Sequence, residues 1–199
     1  MMEADKLFPA TMMPDKDWWS DLWPDPRGVL HTLGFDQGMR AVDLCCGDGH
    51  FTAPMSSLLD GRVYGIDLDP EMLALAQKAI EEAGAPSCTW IMTDAMDMVR
   101  LIPEKVDIVL IANTFHGVPE QTGLAESVLG VLKPGGRFVI INWHVAPREE
   151  TTVLGKPRGP RTDMRMSPDD VRAVVEPAGF TFVETIALPP YHYGTVFYN

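Results

Sequence analysis

The chain has 199 residues, 46% of them hydrophobic, and a formal net charge of −12; its size and composition predict a single domain, residues 1–199, with a substantial core. An acidic chain without a long cluster of lysines and arginines is unsuited to nonspecific binding of nucleic acid. The sequence shows neither an apolar run of roughly 18 residues nor the pattern of a signal peptide, so we expect a cytoplasmic protein that does not enter a membrane.

The cysteines and histidines give no sign of a metal site. Cys45 and Cys46 are adjacent, which makes a disulfide between them geometrically unfavourable, and we expect both of them and Cys88 to be reduced core residues. The five histidines show neither C-x-x-C nor H-E-x-x-H spacing, the arrangements that metal ligands commonly have. No metal cofactor is therefore predicted.

The first 35 residues differ from the rest of the chain. They mix prolines and acidic residues with Trp18, Trp19 and Trp23 and have no sustained period, so we interpret residues 1–35 as an arm that is helical around the tryptophans. The aromatic side chains could anchor this arm to its own domain. Alternatively, the arm could be a lid over a binding cleft, with Trp19 against the substrate. Both interpretations can hold together.

The predicted core, residues 36–199, begins with the most informative pattern in the chain. The apolar run 41–45 breaks at Gly47 and Gly49 before a segment that can form a helix. This order is typical of a buried strand, a tight turn and a helix N-terminus. Glycine in such a turn allows a ligand to approach the backbone closely. Asp43 adds a carboxylate at the end of the strand.

A glycine turn after a strand also occurs in dinucleotide-binding proteins, and the spacing tests that alternative. Their G-x-G-x-x-G motif, counted from Gly47, would require glycine at position 52, where the chain has Thr52. Counted from Cys45, it would require glycine at position 50, where the chain has His50. A dinucleotide-dependent oxidoreductase is therefore the less favoured alternative.

The second predicted strand, Arg62 to Asp67, ends in an acid eighteen residues after Gly49. An acid at this place can accept hydrogen bonds from both hydroxyls of a ribose. The neighbouring Asp69 and Pro70 fit a helix N-cap and the first helical position. We therefore assign ribose binding to Asp67 and helix capping to Asp69.

The third and fourth predicted strands also end in polar residues. Cys88 to Thr93 is followed by Asp94, which is either a ligand-binding carboxylate or a residue that starts a turn. Val106 to Ala112 is a nearly continuous apolar run, as expected of a central strand covered on both faces. Asn113 and His116 follow it, where open α/β sheets bind ligands. His116 is thus a candidate acid or base, with a structural role as the alternative.

The segment Lys133 to Gly136 is predicted to be a turn before a fifth strand. Beyond that strand, residues 147–165 show no period and carry several arginines in an otherwise acidic chain. We expect this loop to contact the substrate and to bind an anionic group through Arg158, Arg161 or Arg165. A solvated loop is the alternative.

A helix and two strands end the chain. Ser167 and Asp170 fit the two positions of a capping box at the start of the helix. Phe180 to Ala187 and Tyr193 to Tyr198 are the predicted strands, and Tyr191 lies on the connection between them. We expect these strands to form a terminal hairpin.

Three segments resemble the class I S-adenosylmethionine-dependent methyltransferases. Residues 43–49, D-L-C-C-G-D-G, resemble the family's D-x-G-x-G-x-G, with Cys45 in place of the first glycine. Residues 132–141, L-K-P-G-G-R-F-V-I-I, resemble the segment that enters the fifth strand, and Asp67 matches the ribose-binding acid. The resemblance spans about residues 40–198 and is to the group that includes the ubiquinone and menaquinone biosynthesis methyltransferases. It implies a Rossmann-like α/β fold: a doubly wound, seven-stranded, mostly parallel sheet with an antiparallel C-terminal hairpin strand.

The same resemblance implies S-adenosyl-L-methionine as the cofactor and a small-molecule acceptor. Asp67 would bind the ribose and Asp94 the adenine amino group, while Asn113 would border the methionine moiety. The residues expected to contact the cofactor are Asp43, Cys45, Gly47, Gly49, Asp67, Leu68, Asp94, Ala95 and Asn113. The residues expected to serve the acceptor are Trp19, Arg158, Arg161 and Tyr191 as substrate contacts, with His116 and His144 as catalytic residues.

The implied reaction moves a methyl group from the sulfonium to an O, N, C or S atom of the acceptor. Since the sulfonium is already activated, alignment and exclusion of water would carry most of the catalysis. A base is needed only when the acceptor must lose a proton. The replacement at Cys45 leaves one alternative open, a non-catalytic relative that binds the cofactor, or no ligand, and acts through a partner.

Overall fold

The computed structural model describes residues 16–199, so the part of the predicted arm before Lys16 lies outside the described residues. The α-helices in this range are α1 (Lys16–Leu22), α2 (Pro26–Thr32), α3 (Thr52–Leu59), α4 (Pro70–Glu82), α5 (Gln121–Val131) and α6 (Pro168–Val175). The strands are β1 (Ala41–Leu44), β2 (Val63–Asp67), β3 (Thr89–Met92), β4 (Val106–Ala112), β5 (Leu132–Trp143), β6 (Thr152–Val153), β7 (Lys156–Pro157), β8 (Thr181–Leu188) and β9 (His192–Tyr198).

Within residues 16–199, seven of these strands form one sheet in the order β3-β2-β1-β4-β5-β9-β8. The first five are parallel to one another. β9 is antiparallel both to β5 and to β8, with which it forms the terminal hairpin. The predicted Rossmann-like sheet is confirmed, and β4 occupies its middle, as the apolar run 106–112 predicted.

Helices cover both faces of the sheet. On one face, Ile108 and Leu110 of β4 belong to a buried cluster that also includes side chains of α1, α2, α3 and α4. On the other face, Val109 and Ile111 belong to a cluster with side chains of α5 and α6. All four β4 side chains are fully buried. A strand buried on both sides needs apolar residues at successive positions, which explains its unbroken apolar run.

Two helix starts follow the predicted capping chemistry. The Asp69 carboxylate accepts a hydrogen bond of 2.8 Å from the Glu71 N–H, and Pro70 occupies the first helical position of α4. At α6, the Ser167 side chain and the Asp170 carboxylate each accept from the other residue's backbone N–H, which is the predicted capping box. These caps define the first residues of α4, which follows β2, and of α6, which follows the basic loop.

The segment Lys133–Gly136 differs from the prediction, because it belongs to β5 instead of forming a separate turn. The pairing of β5 with β4 shifts register between Val106 and Ile108, so this end of β5 is irregular. Gly135 has a φ of 73°, and the Asn199 backbone donates to the Gly136 carbonyl and accepts from the Gly135 N–H. Pairing with the chain end therefore holds the segment extended, although its glycines are typical of a turn.

The basic loop 147–165 contains more structure than its lack of period predicts. β6 and β7 form a small antiparallel hairpin there, flanked by the 3₁₀ helices Arg148–Glu150 and Thr162–Met164. Elements of two or three residues are too short to produce a periodic pattern. We call this unit, residues 147–165, the arginine hairpin.

The carboxyl ends of β1, β2, β4 and β5 meet at one edge of the sheet, since these strands are parallel. α1 contacts β6, so the described part of the arm reaches the arginine hairpin beside this edge. No helix within the described range has the length and apolar character that crossing a bilayer requires.

Candidate functional site

The loop after β1 places three residues in the left-handed backbone region. Cys45, Gly47 and Gly49 have φ values of 57°, 54° and 86°. Left-handed φ is easy for glycine and costs other residues roughly 1 kcal/mol or more. Cys45 nevertheless adopts the conformation that glycine takes readily. Every second residue from 45 to 49 therefore has a positive φ, despite the cysteine at the first of these positions.

Packing against α4 is one reason for glycine at position 49. A Cβ at this position would lie 2.8 Å from the Ala76 Cα on α4, a distance that real Cβ contacts essentially never show. Gly49 also does not line the cavity described below. Gly49 therefore allows α4 to pack against the loop, and its predicted contact with the cofactor stays a prediction.

Buried carboxylates surround this loop. Asp43 is 2% exposed and accepts a hydrogen bond of 2.6 Å from the Thr52 hydroxyl. Burial raises the pKa of Asp43 to about 7, against the effect of the Thr52 bond, and the charges of Asp67 and Asp48 raise it further. Asp48 is also buried, and its Oδ1 has no hydrogen-bond partner in the described part of the chain. We call the glycine loop 45–49 together with the carboxylates of Asp43, Asp48 and Asp67 the acidic end.

Asp67 ties the loop to the end of β2. Its carboxylate accepts hydrogen bonds from the Gly47 N–H at 2.8 Å and from the Asp69 N–H at 3.0 Å. Burial raises the pKa of Asp67, and these backbone bonds oppose the shift. Carboxylate oxygens have further lone pairs, so the predicted ribose contact is chemically compatible with these two bonds.

The end of β4 contributes an amide and an imidazole. Asn113 has a φ of 58° and donates its backbone N–H to the Ile141 carbonyl, while its buried Oδ1 has no partner within residues 16–199. His116 follows in a 3₁₀ helix, Phe115–Gly117. Burial lowers the pKa of His116, and the neighbouring Asn142 amide works against this shift. The His116 imidazole is therefore neutral at pH 7 and able to accept a proton.

The four arginines of the arginine hairpin are not equivalent. Arg161 forms an ion pair with Asp163 at 2.6 Å. Arg165 is 7% exposed and donates to the Thr151 hydroxyl and to nearby backbone carbonyls. Arg148 donates its Nε to the Gly159 carbonyl at 3.0 Å. Arg158 lies with its guanidinium 5.2 Å from the Trp18 ring centroid.

A cavity of about 510 Å³ joins the acidic end to the arginine hairpin. This volume is in the range of small-molecule binding sites. Of the predicted residues, those that line it are Asp43, Cys45, Gly47, Asn113, His116, Trp19, Arg158 and Arg161. Those that do not line it are Gly49, Asp67, Leu68, Asp94, Ala95, His144, Arg165 and Tyr191.

The cofactor residues outside the cavity lie at the adjoining strand ends. Asp67 and Leu68 follow β2, beside the glycine loop. Asp94 is exposed and accepts a hydrogen bond of 2.9 Å from the Met96 N–H, so it caps the 3₁₀ helix Ala95–Arg100. Asp94 therefore starts a turn, which was the alternative interpretation of this residue. Its contact with the adenine stays a prediction.

His144 and Tyr191 lie beyond the end of β5. His144 is exposed, and its ring centroid is 5.4 Å from that of Tyr193. Tyr191 stacks on Trp143 at 6.0 Å and donates its hydroxyl to the Thr152 carbonyl. Neither residue lines the cavity, although Trp143, on which Tyr191 stacks, does, and their roles towards the acceptor stay predictions.

Sequence reasoning missed several residues that line the cavity, among them His50 and Arg148, whereas Trp18 belongs to the arm interpreted above as a possible lid. The His50 ring lies 6.3 Å from that of Trp19, and burial lowers its pKa, whereas Asp48 acts to raise it. His50 directly follows the glycine turn and Arg148 belongs to the basic loop, so position near a recognised motif was the available signal. Nothing in the residue types alone distinguished these side chains.

Comparisons with known proteins agree with this geometry. The family described as "Methyltransferase domain" matches residues 42–140, about half of the chain. The demethylmenaquinone methyltransferase of Lactococcus lactis is 29% identical over 123 residues, 61% of this chain and 48% of that protein. The corresponding enzyme of Staphylococcus aureus is 30% identical over 117 residues, 58% of this chain and 47% of that protein.

The chain belongs to the class I S-adenosylmethionine-dependent methyltransferase family. It spans about half the length of the curated relatives it matches. Among solved structures of the family, an S-adenosylmethionine-dependent methyltransferase from Aquifex aeolicus has a TM-score of 0.76 at 24% identity, covering 92% of this chain and 93% of that one. The magnesium protoporphyrin IX methyltransferase of Synechocystis, solved with S-adenosylmethionine bound, has a TM-score of 0.62 at 16% identity, covering 92% and 90%.

Proposed function

We propose that this protein transfers the methyl group of S-adenosylmethionine to a small-molecule acceptor. The observation that carries the proposal is the continuous cavity, which begins at the family's glycine loop and reaches the arginine hairpin. One cavity with two chemically different ends suits a reaction in which two ligands must meet. Family membership supplies the reaction type, and the cavity supplies the space for the second ligand.

The residues present fit this cofactor, which carries a positive sulfonium and an ammonium group. The buried Asp48 Oδ1 and Asn113 Oδ1 have no partner within residues 16–199, and they are acceptors beside the loop where such groups would bind. Asp43, Cys45 and Gly47 would line the methionine part, while Asp67 would accept from the ribose hydroxyls. Asp94 and Ala95, after β3, would serve the adenine, with Leu68 and Gly49 supporting the loop between them.

The chemistry of the cofactor is the delivery of an activated methyl group, and the protein aligns the acceptor and excludes water. His116 is the proposed proton acceptor for acceptors that must be deprotonated, because it lines the cavity and burial lowers its pKa. His144 remains a second candidate, which would require it to turn from its exposed position. Carboxyl groups at the acidic end would compensate the positive charge of the bound cofactor.

We also propose that the acceptor carries an anionic group that binds at the arginine hairpin, with Trp19 and Tyr191 as neighbours. The cavity lining supports this for Trp19, Arg158 and Arg161. α1 would act as the lid of a single domain, since Trp18 and Trp19 are buried and line the same cavity. Its burial equally fits an anchor, and the two roles are compatible.

Isothermal titration of the full chain with S-adenosylhomocysteine tests the proposal. We expect saturable binding at one site, and we expect a thermal shift with this ligand that NAD does not produce. A chain that binds NAD and not S-adenosylhomocysteine would overturn the proposal in favour of the dinucleotide alternative. Binding without methyl transfer to any member of a phenol, amine and thiol panel would favour the non-catalytic relative.

A further inference from the structure

We propose that the acceptor is a planar aromatic carboxylic acid, with its carboxylate on Arg158 and Arg148 and its ring against the stacked pair Trp18 and Trp19. This inference rests on the proposed function and specifies its substrate class. It specifies the anionic group of the acceptor as a carboxylate, and it retains Arg158 but replaces Arg161 with Arg148 as the second arginine that binds it.

The pairing of the arginines selects these two. Arg161 already neutralises Asp163, and Arg165 is held by the Thr151 hydroxyl and backbone carbonyls. Within residues 16–199, neither Arg148 nor Arg158 forms an ion pair with a carboxylate. Both line the cavity. Two uncompensated guanidinium groups facing one cavity in a chain of net charge −12 indicate an anionic ligand.

Charge and burial strengthen the argument. The Nε of Arg158 is buried and has no hydrogen-bond partner within the described range. A buried donor without a partner is costly, and an incoming carboxylate would satisfy it. Burial lowers the pKa of the Arg165 guanidinium, and the nearby positive charge of Arg148 lowers it further. The arginine hairpin therefore concentrates positive charge that a ligand anion would stabilise.

The aromatic walls define the rest of the ligand. Trp18 and Trp19 stack with their ring centroids 4.4 Å apart and 21° between their planes. The Arg158 guanidinium lies over the Trp18 ring. The ring centroid of Trp143, which also lines the cavity, is 6.3 Å from that of Trp18. Trp18 and Trp19 are almost fully buried, so a ligand in the cavity would meet the small exposed parts of these indoles, and an aromatic ring suits such an apolar contact. An acid on that ring would then be presented to the guanidinium beside the same indole.

A carboxylate fits this arrangement better than a phosphate. The planar fork of a guanidinium matches a planar carboxylate in a bidentate arrangement. A phosphate dianion would have to lose more hydration among the buried tryptophans than a carboxylate of single charge. The carboxyl group also lies in the plane of the ring to which it is conjugated, so the two contacts are geometrically compatible.

The test uses the full chain saturated with S-adenosylhomocysteine and three probes: 1-hydroxy-2-naphthoate, 1-naphthol and 1-naphthyl phosphate. Isothermal titration is expected to show that the naphthoate binds at least about tenfold more tightly than either other probe. In Arg158→Gln and Arg148→Gln, naphthoate affinity is expected to fall about tenfold or more, while 1-naphthol affinity changes less than about twofold. Trp18→Phe should weaken the naphthoate and 1-naphthol by similar factors.

Lys156→Gln is the matched control, because Lys156 is an exposed cation on β7 of the same hairpin that does not line the cavity. It should leave all three affinities within about twofold, and thermal melting should confirm that each variant is folded. Equal affinities for the three probes, tighter binding of the phosphate, no binding of the naphthoate, or an equal effect of Lys156→Gln would overturn the inference. Failure of S-adenosylhomocysteine itself to bind would instead contradict the proposed function.

Discussion

The acidic end and the arginine hairpin are built in different ways. The acidic end is built on the end of β1 and the glycine loop that follows it, to which backbone N–H groups tie the carboxylate of Asp67 at the end of β2. The arginine hairpin consists of two-residue strands and short 3₁₀ helices whose side chains hold one another. One end therefore uses a local motif to receive a cofactor common to a family. The other uses tertiary contacts, which is the type of structure that can differ between related enzymes with different acceptors.

The largest expected effect is at the acidic end. Asp67→Ala would remove the proposed acceptor for the ribose hydroxyls and the partner of the Gly47 N–H. Loss of two charge-assisted hydrogen bonds is expected to weaken S-adenosylhomocysteine binding by about a thousandfold in isothermal titration. Asp169→Ala is the control, since this exposed acid is in the first turn of α6. Undiminished affinity of Asp67→Ala would refute the ribose assignment.

A second change tests whether packing or ligand approach requires Gly49. Gly49→Ala would place a methyl group against the α4 backbone, and we expect the free energy of unfolding to fall by about 3 kcal/mol. Gly38→Ala shares the positive φ but has no atom within 4 Å, so about 1 kcal/mol is expected. Urea denaturation measures both. Equal losses would show that the collision with α4 is unimportant.

A third pair of changes separates two arginines of the hairpin. Arg165→Met removes several hydrogen bonds from a nearly buried side chain and should lower the free energy of unfolding by about 2 kcal/mol. Arg161→Met breaks an exposed ion pair and should change it by less than about 0.5 kcal/mol. Urea denaturation of the two variants decides this, and a larger loss for Arg161→Met would be inconsistent with the division of roles described above.

The fourth prediction concerns pH. Because the pKa of Asp43 is raised to about 7 by burial, this carboxyl is largely protonated at pH 6 in the free protein. A positively charged cofactor favours its ionised form, so S-adenosylmethionine affinity should rise by up to about fivefold from pH 6 to 7 and by up to about tenfold from pH 6 to 8, and level off above pH 8. Burial lowers the pKa values of the cavity histidines, His50 and His116, which moves their titration away from the upper part of this interval.

Asp43→Asn provides the control for this titration. The ligand's own ionisation is common to both proteins, so the difference between their pH profiles isolates Asp43. The variant should lose the rise between pH 6 and 7. If the variant kept the full pH dependence of the wild-type affinity, the titrating group would be a residue other than Asp43.

The sequence predicts most of the fold because the deciding patterns are local. The apolar run of β4, the caps at Asp69 and Ser167 and the glycine turn after β1 each depend on neighbouring residues. The segment Lys133–Gly136 was misassigned as a turn because its conformation depends on pairing with the chain end, far away in sequence. Gly49 was recognised, but the need for it comes from α4, a contact that the loop sequence does not contain.

The arginine hairpin shows where sequence reasoning ends. The positive charge of this loop is visible in its composition, but the sequence does not tell which arginine is left without an acidic partner. That depends on the local conformation that brings Arg161 onto Asp163 and on the burial of Arg165, which follows from tertiary structure. Trp18 lines the cavity because α1 packs beside the arginine hairpin, a contact between segments far apart in the sequence.

The central claim is that the cofactor occupies the acidic end and leaves the arginine hairpin free for the acceptor. A crystal structure of the full chain with S-adenosylhomocysteine tests it most directly. We predict that the ribose hydroxyls contact Asp67 and that the sulfur faces open space leading to Arg158. A nucleoside bound against Arg158, or a cofactor that fills the cavity at both ends, would contradict this account.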